Sequence, residues 1–484
     1  MERYLLGVDV GTTGTKAMLF SEHGNVISHA YKGYSLSTPS IGFSEQNAQD
    51  WYDAVKETIR EVCSGTDPKS VAAISLSTQG GTLVPTDKNF NPLRPAIVWS
   101  DARCEKQKEE FIAEVGDDKF MYNTCGWHLG NKLPALTIRW IKENEPEIFE
   151  KTEYFLTVPD FISAKLTGIP AVDLSNAGIN QLCDIKTQTY NGEILKFCST
   201  DATKLPELVP SGRKIGNLTA EAAEELGLSS DTVLVSGAHD QYAVALGAGA
   251  TKSGDMLIGS GTCWVVTAIS DESDFSSGLS QSVAATPGMW GSLQSLSSGG
   301  VCLEWLRKNI IKEDISYKTI DEITAERKAA EDGLYFYPFS GKSSDETRFK
   351  KASFIGMDMS HDCFNLARAV MEGVVFQILW IMEGFRAKPS EDGIILSGGG
   401  SKSPVWSQLL ADISGLPVKI PEVADLACVG AAIMAGVGCG IFENELSGYK
   451  KLAVGETVLK PDLEKTKVYS EIFSDYKRRA ELLK

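Results

Sequence analysis

A strand, a tight turn rich in Gly and Thr, and a second strand occur twice in this chain, about half its length apart. The first copy occupies residues 4–20 with its turn at Gly11-Thr12, and the second occupies residues 256–269 with its turn at Gly261-Thr262. The two Gly-Thr pairs are 250 positions apart (261 − 11) in a chain of 484 residues. This repeat predicts two domains of related topology, each opening with a β hairpin.

Strand-like runs alternate with amphipathic helical patterns along the chain, which indicates an α/β protein. Buried strands are expected at residues 71–77 and 394–397, and each runs into a group of glycines. The other expected elements are a meander over residues 4–10, 16–20 and 26–28, a helix over 50–63 capped by Asn47 or Asp50, and a helix over 133–144. Small residues accumulate at 246–250, so we expect the linker there, between domains of residues 1–248 and 249–484.

The chain is strongly acidic, and its charge restricts the partners that it can have. Lys and Arg total 47 against 64 Asp and Glu, which gives a formal net charge of −17. Such a chain repels phosphate backbones and anionic membranes, so neither nucleic acid nor a membrane is expected as a partner. A small anionic ligand stays compatible with this charge when backbone N–H groups and a few Lys bind it locally.

The cysteines and the apolar segments predict a cytoplasmic location. None of the ten cysteines forms a C-x-x-C pair, and scattered thiols in a large chain are typical of buried apolar side chains in a reducing cytosol. The N-terminus enters a strand pattern without the apolar run of a signal peptide. The most apolar stretch, residues 426–442, has 17 residues, whereas a membrane span needs about 20, so we expect a buried helix.

The first Gly-Thr turn has the composition of a phosphate-binding loop. Glycine permits positive φ and close approach, and backbone N–H groups and the hydroxyls of Thr12 and Thr13 share one small volume. The carboxylate of Asp9, just before the turn, would hold a hydrated Mg²⁺ that neutralises the phosphates. An ordinary hairpin turn is an equally good interpretation of these residues.

Two glycine-rich segments in the second half carry similar chemistry. Gly261 and Thr262 repeat the first turn. Gly399 and Gly400 follow a strand, and Ser403 is expected to cap the helix that starts at the next residue, which makes a nucleotide-sized cleft at a helix N-terminus. The spacing is not that of a P-loop, and a plain loop is the alternative.

Two polar clusters follow strands. The strand at residues 233–238 leads to His239 and Asp240, at the edge where sites of α/β proteins form. Asp240 would deprotonate a substrate hydroxyl during phosphoryl transfer, or cap the helix that follows. Trp99, Asp101 and Arg103 offer a polyol an apolar face and hydrogen bonds, and a capped helix start is the alternative.

Taken together, these residues resemble the FGGY family of carbohydrate kinases, most closely its xylulokinase branch. The motifs that carry the resemblance are, in chain order, Asp9-x-Gly-Thr-Thr-Gly-Thr-Lys16, Trp99-x-Asp101-x-Arg103, Glu145-Pro146-Glu147-Ile148-Phe149, Gly237-x-x-Asp240, Gly261-Thr262, Leu303-Glu304-Trp305-Leu306, Pro338-x-Ser340-Gly341, Ser397-Gly-Gly-Gly400 and Gly430-Ala431-Ala432. The resemblance implies two ribonuclease H-like domains of the actin and hexokinase type, with ATP and sugar in an interdomain cleft.

The resemblance also implies a role for each candidate residue. Asp240 would be the general base, and Asp9 and Asp240 would lie at the Mg²⁺ ion. The residues expected at ATP are Thr12, Thr13, Lys16, Gly261 and Thr262 at its phosphates and Gly399, Gly400 and Ser403 near its adenosine. The residues expected at the sugar are Gln79, Gly80, Trp99, Asp101, Arg103, His239 and Asp240.

The sequence departs from the xylulokinase pattern in three places. Xylulokinases carry Gln-Met-His-Gly after the strand that corresponds to residues 71–77, and here Gln79 stands where their His would be. Thr137 replaces a signature Lys, and Trp127-His128 is also unlike the pattern. Because Gln keeps a donor and an acceptor but cannot carry a charge, we expect D-xylulose not to be the best substrate.

The sequence therefore predicts an ATP-dependent kinase that transfers the γ-phosphate to a hydroxyl of a small sugar, with a ketopentose as the first candidate. The alternative substrates are another ketose, a polyol or a sugar acid. A non-catalytic sensor on the same fold would lack Asp9 or Asp240, and both are present. An ATPase that moves a protein partner would need a peptide-binding domain, which we do not expect. The family's habit suggests a homodimer.

Overall fold

The computed structural model of the protein describes residues 2–312, 314–338, 351–423, 425–452 and 455–483. Within these residues the strands are β1 (Tyr4–Val10), β2 (Gly14–Ser21), β3 (Val26–Gly33), β4 (Glu45–Gln46), β5 (Val71–Thr78), β6 (Leu83–Thr86), β7 (Ala96–Ile97), β8 (Tyr154–Thr157), β9 (Ala171–Asp173), β10 (Cys183–Asp184), β11 (Thr189–Tyr190), β12 (Glu207–Val209), β13 (Lys214–Asn217), β14 (Val233–His239), β15 (Met256–Ser260), β16 (Trp264–Ser270), β17 (Ser280–Val283), β18 (Trp290–Leu296), β19 (Tyr335–Tyr337), β20 (Ser353–Ile355), β21 (Ile394–Ser397), β22 (Val418–Pro421) and β23 (Glu456–Leu459).

The helices of the same residues alternate with these strands, as the sequence predicts. They are α1 (Ala48–Val62), α2 (Glu105–Glu114), α3 (Asp118–Cys125), α4 (Pro134–Asn144), α5 (Pro146–Lys151), α6 (Val158–Thr167), α7 (Leu174–Ile179), α8 (Gly192–Cys198), α9 (Ala220–Leu226), α10 (Asp240–Gly247), α11 (Gly300–Leu306), α12 (Tyr317–Ala325), α13 (Cys363–Met382), α14 (Pro404–Ser414), α15 (Leu426–Gly438), α16 (Glu445–Leu452) and α17 (Leu463–Ala480).

The chain forms two compact units, and each is built from more than one segment. Unit 1 comprises Met1–Thr251, Asp271–Gly291 and Ala424–Val454. Unit 2 comprises Lys252–Ser270, Ser292–Val423 and Gly455–Lys484. The division at residue 248 that the sequence suggests stays a prediction.

Unit 1 is organised around a six-stranded sheet in the order β13-β14-β5-β1-β2-β3. β1 and β2 form the predicted antiparallel hairpin, and β1 pairs in parallel with β5, which brings Ser77 beside Asp9. The apolar helix α15 packs on β1, β5 and β14, and it approaches closely because Gly7 has no side chain. A Cβ at Gly7 would lie 1.9 Å from the carbonyl oxygen of Cys428.

Unit 2 contains a second sheet in which β18, β16, β15, β21, β22 and β23 are neighbours in that order. β15 is antiparallel to β16 and parallel to β21, β21 is parallel to β22, and β22 is antiparallel to β23. The strands β2, β1, β5, β14 and β13 of unit 1 have the same order and the same directions. The predicted repeat of topology is thus confirmed strand by strand.

The apolar segments behave as helices of the folded core. α15 is buried along most of its length, as expected for residues 426–442. Among the described residues, α13 is long and apolar enough to cross a membrane, but 67% of its most apolar window is buried within the protein. The ten cysteines are free thiols, and most are buried as predicted, whereas Cys263 is exposed beside the second Gly-Thr turn.

Candidate active site

Asp9 lies near the end of β1, where parallel pairing with β5 and the hairpin with β2 bring Ser77 and Lys16 beside it. Its Oδ1 accepts a 2.7 Å hydrogen bond from the hydroxyl of Ser77, and its Oδ2 lies 3.8 Å from Nζ of Lys16. Lys16 is closer to Asp425, at 2.6 Å. Burial, followed by the nearby charge of Asp425, raises the pKa of Asp9 to about 7, and Asp240 contributes in the same direction.

The first Gly-Thr turn is held by a network of side chains from other strands. The hydroxyl of Thr12 donates to Oε1 of Gln79 at 3.2 Å and accepts a 3.1 Å hydrogen bond from the indole N–H of Trp99. The amide of Gln46 donates to the carbonyl oxygen of Thr12, at 2.6 Å. Thr13 at the tip is exposed. The turn is therefore fixed from below while its tip is open to a ligand.

Asp240 begins α10 directly after β14, and one of its oxygens has no donor. Oδ1 is buried and forms no hydrogen bond with any described residue. Nδ1 of His239 lies 3.1 Å from it, but this nitrogen accepts a hydrogen bond from the backbone N–H of Gln241 and caps the helix. The tautomer that satisfies this bond carries its proton on Nε2. The alternative that Asp240 caps the helix is therefore wrong, and its carboxylate is available for a ligand.

Two adjacent glycines allow aromatic and imidazole side chains to close around the end of β5. A Cβ at Gly80 would lie 2.5 Å from Cδ2 of His239, and a Cβ at Gly81 would lie 2.7 Å from Cδ2 of Leu133 and 3.5 Å from Cβ of Trp99. Only glycine fits at these two positions without movement of the neighbours. Trp127 also approaches this region, with its ring 6.0 Å from that of His239.

In unit 2, two glycine-rich segments meet at Ser260, the last residue of β15. The hydroxyl of Ser260 donates to the carbonyl oxygen of Ser397 and accepts from the backbone N–H of Ser401. Next to it, Gly261 and Thr262 are exposed. The carbonyl oxygens of this pair accept hydrogen bonds from the start of α11, so the turn is anchored through its carbonyls.

The glycines after β21 also allow a close approach of main chains. Gly398 has φ +92°, and a Cβ at Gly400 would lie 2.9 Å from both Cβ of Ser260 and Cζ2 of Trp264. Ser403 caps α14 as predicted, because its hydroxyl accepts from the backbone N–H of Trp406. The same hydroxyl donates to Oδ1 of Asp321 at 2.7 Å. Unit 2 therefore presents backbone groups of Gly261, Thr262 and Gly399 on its surface.

The charges near Asp9 fit a hydrated divalent cation. The charges of Asp425 and Asp240 both contribute to the raised pKa of Asp9, and Lys16 forms ion pairs with Asp9 and Asp425. Within the described ranges, no group of three His, Cys, Asp or Glu side chains is close enough to hold a metal directly. Mg²⁺ is typically bound by one or two carboxylates and completes its shell with water and phosphate, so this donor set suits it.

Comparison with known proteins identifies the family. The N-terminal domain of the FGGY family of carbohydrate kinases matches residues 4–247, and the C-terminal domain of that family matches residues 256–439. The chain belongs to this family. The expected family, its kinase activity and the two-domain fold of the actin and hexokinase type are therefore confirmed.

The relatives of this FGGY kinase include proteins named for different substrates. It is 29% identical to the gluconokinase of Bacillus subtilis over 460 residues, which cover 92% of this chain and 89% of the relative. It is 31% identical to the xylulose kinase of Lactococcus lactis over 450 residues, which cover 91% of this chain and 89% of the relative. The solved xylulose kinase of Rhodospirillum rubrum is 26% identical, with a TM-score of 0.90 and 99% of both chains covered.

The structure of this kinase brings most of the predicted sugar-side residues together, but not all in the expected way. His239, Gly80 and Trp99 lie around the end of β5. Gln79 lies beneath the turn, and its amide nitrogen donates to the carbonyl oxygen of Gly11 and to Oε1 of Gln46. Because both ends of this amide are already bonded within the protein, contact between Gln79 and a sugar stays a prediction that would require these bonds to rearrange.

Asp101 and Arg103 form a buried ion pair rather than an open polyol site. The guanidinium of Arg103 lies 2.8 Å from Asp101 and from Glu45, and its side chain is 1% exposed. It also stacks on the rings of Phe43 and Trp140. The pair ties the segment after Trp99 to β4, and a direct part in sugar binding stays a prediction.

Sequence reasoning missed three residues of this kinase that position the candidate ligands. Asp425 is far from Asp9 in the chain. The one feature of the sequence that points to it is its position just before an apolar helix, which it caps. Ser77 and Ser260 lie at strand ends and could be found only from the pairing of β5 with β1 and of β21 with β15. Ser340 and Gly341 of the expected motif lie outside the described residues.

Proposed function

We propose that this kinase transfers the γ-phosphate of ATP to a hydroxyl of a small sugar, with Asp240 as the general base. The observation that carries the proposal is the buried Oδ1 of Asp240, for which no described residue supplies a donor. A buried acceptor without a partner is costly, and a substrate hydroxyl is the donor that would satisfy it. The same contact places the hydroxyl proton where the carboxylate can accept it.

The residues of unit 1 orient and deprotonate the sugar in this proposal. The hydroxyl that donates to Asp240 loses its proton to that carboxylate as its oxygen attacks the γ-phosphorus. Nε2 of His239, which carries the proton when Nδ1 accepts from Gln241, is a second donor for the sugar. The exposed indole of Trp99 provides an apolar face for the C–H groups of the sugar.

The nucleotide is held by backbone groups more than by charge. The exposed main chain of Gly261 and Thr262 is proposed to bind phosphates, with Gly399, Gly400 and Ser403 near the adenosine. The first turn, with Thr12, Thr13 and Lys16, is proposed at the transferring phosphate. Mg²⁺ at Asp9 and Asp240, when bound, neutralises the phosphate charge that develops in the transition state.

The substrate class is proposed within the range of the relatives' names, which include xylulose and gluconate. A ketopentose is the first candidate. We expect another sugar to exceed D-xylulose in kcat/KM by at least about tenfold, because Gln79 stands in place of the xylulokinase His and a buried polar group left unpaired costs about 1–3 kcal/mol. A sugar acid is the second candidate. The observation that favours it is Lys132, which lies beside Trp99 without a carboxylate partner among the described residues.

A coupled assay of ADP release with Mg-ATP tests the proposal across ketopentoses, aldoses, polyols and sugar acids. We expect sugar-dependent ADP release from at least one class and no release without a sugar beyond a low background. Sugar-independent hydrolysis alone would contradict the proposal, and a screen led by D-xylulose would contradict the substrate expectation. A homodimer and a cytoplasmic location stay predictions, which gel filtration with light scattering and cell fractionation would check.

A further inference from the structure

We propose that Lys132 binds the carboxylate of a sugar-acid substrate, at the opposite end of that substrate from the hydroxyl that Asp240 deprotonates. This inference rests on the proposed function, because it assumes that the sugar lies between Asp240 and Trp99. It adds a substrate-binding residue that determines which class of sugar the kinase prefers.

The first support is the charge of Lys132. Its Nζ lies 5.7 Å from the ring centroid of Trp99, and no described residue forms an ion pair with it. The neighbouring cations differ, since Arg94 lies 2.5 Å and Arg103 lies 2.8 Å from Glu45. Lys132 is therefore a positive charge near the candidate sugar site that no carboxylate of the described ranges neutralises.

The second support is the rigid aromatic surface under Lys132. Trp99 is 40% exposed, although its indole N–H is held by the hydroxyl of Thr12 at 3.1 Å. An indole fixed at its polar edge leaves its face free for the C–H groups of a sugar. A ligand lying on that face would have the ammonium group of Lys132 within reach of one end.

The third support is the backbone that positions Lys132. The next residue, Leu133, has φ +80° without being glycine, and such a conformation persists only where packing enforces it. Its side chain is 7% exposed and lies against Gly81, where a Cβ would be 2.7 Å from Cδ2 of Leu133. Leu133 is thus anchored against Gly81 while the preceding residue, Lys132, lies beside Trp99, and loss of the Leu133 contact would release this segment.

The contacts that connect Asp240 with Lys132 define the direction of the substrate. His239 adjoins Asp240 and covers Gly80, Gly81 faces Trp99, and Trp99 lies under Lys132. The charges of Asp240 and Asp425 both raise the pKa of Asp9, so a second carboxylate brought close to Asp240 would be repelled by this acidic group. The acid group of the substrate therefore belongs at Lys132, and its distal hydroxyl belongs at Asp240.

In this orientation, phosphoryl transfer takes place at the distal hydroxyl of the sugar acid. The oxygen of the distal hydroxyl forms a bond to the γ-phosphorus of ATP as the bond from that phosphorus to the β–γ bridging oxygen breaks. The hydroxyl proton passes to Asp240, and ADP leaves. The product is an acid with its carboxylate at one end and its phosphate at the other.

Matched pairs of substrates test the inference, because each sugar acid has a neutral alcohol of the same length and stereochemistry. D-gluconate is compared with D-glucitol, and D-xylonate with xylitol, through kcat/KM for ADP release and through binding measured by calorimetry. We expect the wild-type kinase to prefer the acid of at least one pair by about tenfold or more, since hydrogen bonds to charged groups are worth about 1.5–3 kcal/mol.

The variants separate the charge of Lys132 from its bulk. Lys132→Gln should lower kcat/KM for the preferred acid by about 10- to 100-fold, mainly through a higher KM. The kcat/KM for the neutral alcohol should change by less than threefold. Lys132→Arg should restore most of the acid preference. Lys119→Gln removes an exposed charge from the same unit, and we expect it to change kcat/KM for neither substrate.

The outcomes distinguish this inference from the proposed function. The inference is wrong, while the kinase assignment stands, if the wild-type kinase prefers neutral sugars. The same holds if Lys132→Gln lowers kcat/KM equally for the acid and the alcohol of a pair. If no sugar of any class is phosphorylated, the proposed function itself is wrong. A selective loss of the acid in Lys132→Gln, with rescue by Lys132→Arg, supports both.

Discussion

The ring of His239 lies directly over Gly80, and a Cβ added to Gly80 would be 2.5 Å from Cδ2 and 2.9 Å from Nε2 of that ring. His239 is buried and its backbone N–H donates to the hydroxyl of Ser175, so it has little freedom to move away. The imidazole beside the proposed base is therefore kept in place because Gly80, just after β5, has no side chain.

Gly80→Ala should displace His239 and lower both stability and activity. Overpacking of a tight site costs about 1–3 kcal/mol, and the displaced ring would no longer present Nε2 to the sugar. We expect a lower melting temperature and a higher KM for the sugar, with the KM for ATP nearly unchanged. Gly192→Ala is the control, because a Cβ there meets nothing within 4 Å. Equal sugar KM in Gly80→Ala and the wild type would show that His239 does not bind the sugar.

Asp240→Asn should abolish the base while keeping the shape of the site. The amide cannot accept the hydroxyl proton, so we expect kcat to fall about 10²–10⁴-fold while ATP and sugar still bind in calorimetry. Asp231→Asn, an exposed carboxylate in the loop before β14, is the control. Turnover within threefold of the wild type in Asp240→Asn would remove this residue from the mechanism.

Asp9→Ala should raise the Mg²⁺ concentration needed for half-maximal activity and lower turnover. The buried carboxylate is desolvated and faces Asp425, so its removal takes away a charge that favours a divalent cation. A titration of activity with Mg²⁺ at saturating ATP measures the effect. An unchanged Mg²⁺ requirement would mean that another carboxylate holds the ion.

Thr262→Val should instead weaken the hold on the nucleotide without changing the Mg²⁺ requirement. The residue is exposed in the second Gly-Thr turn and is nearly isosteric with Val, so the fold should be kept. The KM for ATP should rise several-fold, in line with the loss of a hydrogen bond worth about 0.5–1.5 kcal/mol. A larger effect on the sugar KM than on the ATP KM would argue against the proposed place of this turn.

Asp160 should make the kinase less stable as pH rises from about 4 to about 7. Its side chain is fully buried at the start of α6, and burial raises its pKa from 3.8 to about 7. Between about pH 4 and 7 the folded state holds a proton that the unfolded chain has lost. The free energy of unfolding therefore falls with rising pH, by up to about 1.4 kcal/mol per pH unit for one group.

Melting temperatures of the wild type and Asp160→Asn between pH 5 and 8 test this effect. The neutral amide can still accept from the backbone N–H of Thr157, so we expect the variant to lose less stability than the wild type as pH rises. Parallel curves for the two proteins would show that Asp160 does not titrate in this window. The exposed Asp231→Asn serves again as the control.

Short-range patterns in the sequence are sufficient to predict the local elements and the family of this protein. The meander, the strands at 71–77 and 394–397 and the helices capped by Asn47 and Ser403 follow from short-range patterns of apolar, turn and capping residues, and the structure contains them. The two Gly-Thr hairpins were visible as a repeat because a turn is encoded by neighbouring residues. The order of motifs then indicated the FGGY kinases.

Only the tertiary structure decided which polar residues are free and which are already paired. Asp101 and Arg103 are residue types that a polyol site would use. In the structure, Arg103 instead forms buried ion pairs with Asp101 and with Glu45 from a distant strand. Asp425 reaches Lys16 from the other end of the chain. Such pairings depend on which strands lie side by side and on where glycines permit close approach, and those long-range contacts leave no periodic signal in the sequence.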